Sequence, residues 1–211
     1  MNQGKRGAHV VRRARTQELV IGACIQSLAE WGYQATTTTL VAERAGVSRG
    51  ALLQQFPTRL DLILAVATHI VEAQRAKYEA GFSELPDPLE RFRAMTDLLW
   101  GAKGSPERIA VIEIHLASRS EPELAAGLRD AVNTPIREQV QVARDLARQA
   151  GIDNDAQVHA LATLTLAAVW GLSIMELELW TAAEIDAAFD LLKHNRDHLI
   201  ADWLRESVPK L

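Results

Sequence analysis

The chain has 211 residues, 48% of them apolar, with one cysteine and a net charge of −4. This composition predicts a globular protein of one domain, or of a small and a larger domain. It excludes a disordered chain, a disulfide framework and a four-cysteine metal site within one chain. Charge is uneven, because residues 1–60 hold 8 Lys and Arg against 3 Asp and Glu (net +5), and residues 61–211 hold 15 against 24 (net −9). A basic N-terminal segment, residues 1–60, followed by an acidic remainder indicates that the N-terminal segment binds a polyanion.

The first residues of the chain are basic but lack the apolar core of a signal peptide. The longest uncharged stretch, residues 160–175, is interrupted by threonine, glycine and serine, and we expect it to fall short of the ~18–20 apolar residues that span a bilayer. Cys24 lies on the apolar side of a helical pattern and is predicted to be buried. We therefore expect a cytoplasmic protein with no membrane partner.

Apolar residues recur at three- and four-residue spacing along nearly the whole chain, and strand patterns are almost absent. This periodicity predicts an all-α fold. The first helix is expected over residues 13–31 and to stop at Gly32. Its inner stripe comprises Val20, Cys24, Leu28 and Trp31.

Two short helices are expected next, then a long one over residues 60–80, and about five more beyond it. The expected breaks between these later helices are Gly81 with Pro86–Pro88, Gly104–Pro106, Pro122 and Gly151–Asp155. Pro135 falls inside the segment 123–150, where we expect it to kink the helix.

The stretch "TTTTLVAERAGVSRGALLQQFPTR", residues 36–59, contains two apolar patterns too short to form stable helices alone. Thr37 is a suitable N-cap for the first, and Gly46 can take the positive φ that ends it sharply. Ser48 then caps a helix over residues 49–56, whose Leu52 and Phe56 face back toward the first. Two short helices that share a small core with a third at a steep angle form a helix-turn-helix.

The residues outside this small core indicate what the second short helix meets. Arg and Gln side chains can make bidentate contacts to base edges, and Gly50 allows a close backbone approach. Thr38, Thr39 and Arg59 are suited to phosphate oxygens. We therefore predict a DNA-binding surface. Its candidate residues are Thr37, Thr38, Thr39, Ser48, Arg49, Gly50, Leu53, Gln54, Gln55 and Arg59.

The stretch "RTQELVIGACIQSLAEWGYQATTTTLVAERAGVSRGALLQQFPTRLDLILAV" resembles the N-terminal domain of the TetR family of bacterial transcriptional regulators. The matching features are Gly32-Tyr33, Thr36-Thr37, Val41-Ala42, Ala45-Gly46-Val47-Ser48, Gly50, Leu52 and Phe56. The resemblance covers residues 13–66.

This resemblance implies a homodimer that binds a near-palindromic operator, usually as a repressor, and that is released by a small molecule in its C-terminal domain. The implied domains are a DNA-binding domain with a basic N-terminal arm over residues 1–59, and a helical effector-binding and dimerisation domain over residues 60–211. The family's DNA contacts carry over to the second and third helices and to Arg59. No cofactor and no enzymatic activity are expected.

The acidic body offers side chains that could line an apolar pocket with one polar group. These candidates are Phe92, Met95, Trp100, Ile112, His115 and Leu116. Ordinary core packing is the alternative interpretation of each of them.

Dimerisation is predicted from the last two long helices. The run "ALATLTLAAVWGLSIM" is apolar around most of its helix, and a helix of this kind must be covered on all sides. A helix over residues 184–205 adds Ile185, Ala188, Phe189, Leu192, Leu199 and Trp203. A four-helix bundle between two copies would cover both helices.

Two other classes of function stay open at this point. His194 and His198, with Asp197 beside them, could ligate a metal ion in an enzyme, but no third ligand has a fixed spacing, and we predict no metal or catalytic site. A helical interaction module that has lost DNA binding is the other alternative, suggested by Leu53, where the family usually has Tyr, and by the threonine run.

Overall fold

The computed structural model describes residues 3–206, and within that range every regular element is helical. The predicted all-α fold is confirmed. The helices are α1 Gln3–Ala35, α2 Thr38–Arg44, α3 Arg49–Gln55, α4 Arg59–Ser83, α5 Pro88–Trp100, α6 Pro106–Ser118, α7 Pro122–Leu128, α8 Thr134–Gln149, α9 Asp155–Glu178 and α10 Ala182–Glu206.

The chain divides into two compact units. The first comprises the residues up to Val71 together with Pro106–Val132, and the second comprises Glu72–Ser105 together with the residues from Asn133 onward. This division does not coincide with the domain boundary predicted after residue 59, because α6 packs along α1 and joins the first unit.

The core of the first unit is built on α1. Val20, Cys24 and Leu28 of the predicted stripe are fully buried, but Trp31 is 46% exposed. The guanidinium of Arg44 lies 4.1 Å from the Trp31 ring centroid and also pairs with Glu30. A cation therefore covers this ring in place of the apolar core, which the stripe alone did not predict.

Gly32 interrupts α1 where a stop was expected. Its φ of 76° and ψ of 174° are non-helical, and the helix bounds continue across this kink to Ala35. At the other end, α1 begins at Gln3, ten residues before the expected start at Arg13. The backbone of the predicted basic arm is thus part of a helix, whereas the side chains of residues 3–10 and 12 lie outside the described residues.

The second unit has its own hydrophobic core among α5, α8, α9 and α10. Its fully or nearly buried members are Phe92, Ala143, Leu146, Ala147, Ile152, Val158, Leu161, Ile200 and Trp203. Gly81 lies inside α4 and does not break it. A Cβ on Gly81 would come within 2.9 Å of Leu98, so this glycine allows α4 and α5 a close approach.

The breaks expected near prolines are present. A π-helical turn, Arg129–Asn133, precedes α8, where Pro135 stands in the first turn. Gly104 and Gly151 adopt positive φ angles of 67° and 84° at the turns before α6 and α9. The kink predicted within residues 123–150 therefore falls just before Pro135.

Helix α9 is more apolar than expected. The helix Asp155–Leu177 contains an 18-residue window with a mean hydropathy of 1.7 and could cross a membrane by length and composition alone, a property that core helices of globular proteins share. In this fold one face of α9 packs inside the second unit. Its buried members follow helical spacing and are Val158, Leu161, Thr165, Val169 and Ser173.

Candidate nucleic-acid interface and ligand cavity

The two short helices have the predicted caps. The hydroxyl oxygen of Thr37 accepts a hydrogen bond from Leu40 N at 3.3 Å, and that of Ser48 accepts one from Ala51 N at 3.1 Å. Gly46 adopts a φ of 66° between the helices. These local bonds set where α2 and α3 begin and how sharply the chain turns between them.

A small apolar core holds α2 and α3 against α1. Val41 and Leu52 are fully buried, and Ala42 and Phe56 are 3% and 5% exposed. Helix α3 ends at Gln55, and Phe56 is its C-cap, one residue earlier than expected. Because α3 has fewer than eight residues, this packing fixes its orientation.

The predicted DNA-binding residues lie on the outer surface of this unit. Six are exposed: Thr37, Thr39, Ser48, Arg49, Gly50 and Gln54. Four are partly buried: Thr38, Leu53, Gln55 and Arg59. Gly50 and Gln54, spaced i, i+4, lie on the side of α3 away from the buried Leu52, and Arg49 is exposed in the first turn of the helix, the end at which recognition helices contact base edges.

Arg59 makes contacts within the protein that the sequence did not predict. Its Nε donates to the carbonyl of Thr36 at 3.0 Å, its Nη2 donates to the carbonyl of Tyr33, and its guanidinium carbon lies 3.9 Å from the Tyr33 ring centroid. Arg59 therefore ties the start of α4 to the segment before α2. It can reach phosphate only through the donors that these bonds leave available.

Tyr33 is the centre of a second set of contacts. Its side chain is 4% exposed, its phenol donates to Glu121 Oε2 at 2.6 Å, and its backbone N–H donates to Glu113 Oε2 at 2.8 Å. Burial, and then the hydrogen bond to Glu121, raise the pKa of Tyr33 to about 12. Sequence reasoning missed both carboxylates, since the only local signal was the Gly32-Tyr33 pair.

The second unit contains a cavity of about 60 Å³. Its lining residues are Tyr78, Phe92, Met95, Thr96, Leu99, Ile136, Gln139, Val140, Ala143, Leu161, Ala162, Thr165, Leu166 and Arg196. Of the six predicted pocket residues, Phe92 and Met95 line it. Sequence reasoning did not single out the other lining residues, which come from α4, α5, α8, α9 and α10.

The other four predicted pocket residues lie elsewhere. The Trp100 ring stacks on that of Phe189, with centroids 4.1 Å apart. Ile112, His115 and Leu116 belong to α6 in the first unit, so the structure does not bring them into this cavity. His115 pairs through Nδ1 with the carbonyl of Val111 at 2.9 Å, and Leu116 is 52% exposed.

Helices α9 and α10 expose apolar side chains. On α9 these are Leu164, Ile174 and Leu177, and on α10 they are Leu191 and Leu199. Ile185, Phe189 and Trp203, which the sequence suggested for a dimer interface, are instead 0–4% exposed inside the second unit. Their spacing shows one apolar face, and in this fold the protomer itself covers that face.

The histidine pair of α10 is exposed, with the Nε2 atoms of His194 and His198 2.9 Å apart. Asp197 pairs with Arg196 and Arg93. Within residues 3–206 no group of three or more His, Cys, Asp or Glu side chains is arranged to hold a metal ion. The pair therefore has no third ligand of these types in the described chain.

Comparison with known sequences places the helix-turn-helix in a family. Residues 20–66 match the model described as bacterial regulatory proteins, tetR family. An HTH-type transcriptional regulator of Mycobacterium tuberculosis is 26% identical over 121 residues, which are 57% of this chain and 62% of the relative. The HTH-type transcriptional regulator CymR of Pseudomonas putida is 28% identical over 128 residues, 61% and 63% of the two chains. The matches thus span less than two thirds of these relatives.

Solved structures extend the likeness to the whole fold. A transcriptional regulator from Saccharomonospora viridis, crystallised in complex with choline, superposes with a TM-score of 0.72 at 19% identity, covering 88% of this chain and 97% of that one. This superposition also covers most of the helical part of the chain beyond residue 66, which the family model does not match. The likeness to the TetR family of bacterial regulatory proteins is thus shown for the helix-turn-helix portion of the chain, residues 20–66.

Proposed function

We propose that the protein is a ligand-responsive transcriptional regulator of the cytoplasm that binds a near-palindromic DNA operator as a homodimer. The observation that carries this proposal is the exposed surface of α3, where Arg49, Gly50 and Gln54 are presented by a helix-turn-helix that is capped and held in place by a small apolar core. A rigid helix with exposed Arg and Gln side chains can enter a major groove and pair with base edges.

Dimerisation is supported by the exposed apolar residues of α9 and α10. Leu164, Leu177 and Leu191 are 53–60% exposed in the protomer, although leucine is a residue that folded proteins mostly bury. A second copy packed on this face would remove these side chains from water. It would also provide the second recognition helix that a palindrome requires.

The ligand response is supported by the cavity of the second unit and, by analogy, by the choline complex of the similar structure. Repression is the direction that the family resemblance implies. In the proposed mechanism the ligand and the operator favour different conformations of the dimer, so each weakens the binding of the other by the same factor. Equal ligand affinity for the free and the DNA-bound dimer would contradict it.

A salt titration tests DNA binding against the alternative of a protein interaction module. We expect the full chain to bind a labelled 30-bp duplex at low salt, with the logarithm of the affinity falling linearly with the logarithm of the salt concentration. An Arg49→Ala variant should bind more weakly. A protein that binds no duplex at any salt concentration would have lost the function of this surface.

A further inference from the structure

We propose that the cavity of the second unit takes a small, uncharged and mainly apolar molecule with one hydrogen-bonding oxygen, and that Thr96 and Thr165 recognise this oxygen. The biological role of this molecule as effector rests on the proposed function. Its binding chemistry follows from the walls of the cavity and can be tested without DNA.

The walls favour an apolar body. Nine of the fourteen lining side chains are apolar, and none of the fourteen is Asp or Glu. A buried cation without a carboxylate partner would be strongly disfavoured. The volume of about 60 Å³ is several times the ~10–15 Å³ that one water needs, so the cavity can take part of a molecule larger than water.

The cavity walls carry no unpaired positive charge that could bind an anion. Arg196 is the one basic side chain among the fourteen lining residues, and it is 5% exposed. Its Nε and Nη2 donate to Asp197 at 3.0 and 3.2 Å, and its Nη1 lies 3.6 Å from Asp97. Its Nη1 also donates to the carbonyl of Arg93 at 2.8 Å. Asp197 also pairs with Arg93, and Lys193 pairs with Asp97 and Asp190, so the cluster around Arg196 holds three cations and three carboxylates. It offers no net positive charge to a ligand, and an anion is therefore disfavoured as well.

Two buried hydroxyls at the cavity are available to a ligand. Thr96 and Thr165 are 5% and 7% exposed, and neither hydroxyl has a hydrogen-bond partner among residues 3–206. Two other helical threonines bond back to the preceding turn: Thr68 donates to the carbonyl of Leu64 and Thr163 to that of His159, both at 2.9 Å. Neither hydroxyl oxygen is among the fully enclosed side-chain atoms that lack a partner, so each keeps some accessible surface at which a ligand oxygen can form a hydrogen bond.

The test uses four single-ring probes that differ in charge and in the oxygen: acetophenone, isopropylbenzene, benzoate and phenyltrimethylammonium. Their affinities for the full chain are measured by ligand-observed NMR titration. We expect acetophenone to bind at least about tenfold more tightly than benzoate and phenyltrimethylammonium, because only the neutral probe avoids an unbalanced buried charge. Tightest binding by either charged probe, or no binding by any probe, would overturn the proposal.

Valine variants then test the two hydroxyls, since valine keeps the shape of threonine. Thr96→Val and Thr165→Val should each weaken acetophenone about threefold to tenfold and leave isopropylbenzene, which lacks the oxygen, within about twofold. Thr163→Val, on the exposed side of the same helix as Thr165, is the matched control and should change neither. Unchanged acetophenone affinity in both cavity variants would refute the assigned contacts. The probe ranking of the unaltered chain stands as a test even if a variant fails to fold.

Failure of this inference can be told apart from failure of the proposed function. If the probes rank as expected but the chain binds no duplex, the regulator proposal fails and the cavity chemistry stands. If the chain binds a duplex but takes up none of the probes, the cavity chemistry fails and DNA binding stands.

Discussion

The phenol of Tyr33 donates a hydrogen bond to the carboxylate of Glu121 across 88 residues of sequence, at 2.6 Å. The backbone N–H of Tyr33 donates to Glu113 as well. These bonds join the end of α1, directly before the recognition helices, to the segment of α6 and α7 within the first unit. The segment from Pro106 to Val132 is therefore part of the structure that supports the helix-turn-helix.

We predict that Tyr33→Phe lowers the free energy of unfolding by about 1–2 kcal/mol, because a buried bond to a charged group is lost. Glu121→Gln keeps an acceptor oxygen and should cost less than Tyr33→Phe. Urea denaturation of the two variants and the unaltered protein measures both values. Equal stability of Tyr33→Phe and the unaltered protein would show that this bond makes no net contribution.

Three glycine substitutions should distinguish the stability lost through a positive φ from the stability lost through steric crowding of a new Cβ. Gly32→Ala should destabilise the most, because φ is 76° and the new Cβ would lie 3.1 Å from Glu113 Oε2. A Cβ on Gly46 would meet no atom within 4 Å, so only the φ of 66° is unfavourable for alanine. Gly46→Ala should therefore lower the free energy of unfolding by about 1–2 kcal/mol. Gly22→Ala, in the helical part of α1 with nothing within 4 Å, should stabilise by about 0.5–1 kcal/mol. Thermal melts give the order, and a stabilising Gly32→Ala would contradict the kink.

Cys24 provides a probe of the first unit. Its thiol is fully buried, and burial raises its pKa to about 12 from a usual value near 9, so the thiol is protonated at pH 8. We expect labelling by iodoacetamide at pH 8 to be at least about 100-fold slower in the native protein than in urea. Because the folded pKa is raised, this group's contribution to stability is present below pH 9 and is lost as the pH rises toward 12. Rapid native labelling would contradict its burial.

The exposed apolar side of α9 predicts the effect of a charge placed there. Leu164→Arg should convert the proposed dimer to a monomer in analytical ultracentrifugation, because a buried arginine without a partner would oppose association. Val142→Arg, at an exposed apolar position of α8 that is 41% exposed, is the matched control and should leave the dimer intact. A dimeric Leu164→Arg variant would exclude this face as the centre of the interface.

Arg49 and Arg59 should behave differently on DNA. Arg49→Ala removes an exposed side chain of α3, and we predict a loss of roughly 1–3 kcal/mol at a specific site with relaxed sequence preference. Arg59→Ala should weaken binding to all sequences about equally and should also lower the melting temperature, because Arg59 bonds the carbonyls of Tyr33 and Thr36. Anisotropy titrations on a specific and a scrambled duplex distinguish the two. Unchanged affinity in both variants would refute the assigned surface.

The sequence predicted those parts of the fold that depend on neighbouring residues. Thr37, Gly46 and Ser48 occupy caps and a turn whose geometry is set within three or four residues, and all three were identified. The contact of Tyr33 with Glu121 joins distant segments and has no such local signal. Gly81 was predicted as a break because the sequence does not show that Leu98 packs beside it.

The cavity was predicted only in part for the same reason. Phe92 and Met95 were found because they lie on the inner face of one amphipathic helix. Ile112 and His115 do not line the cavity because their helix, α6, packs on α1 and belongs to the first unit. Helix periodicity shows which face of a helix is buried, but it does not show which partner buries it.

The measurement that tests the central claim most directly is selection of bound sequences from a random duplex pool by the purified full chain at low salt. The account predicts enrichment of a near-palindromic site whose half-sites are about one helical turn apart, as a dimer with two copies of α3 requires. Recovery of no enriched sequence by a protein that is folded and dimeric would contradict the claim that the exposed side of α3 reads DNA.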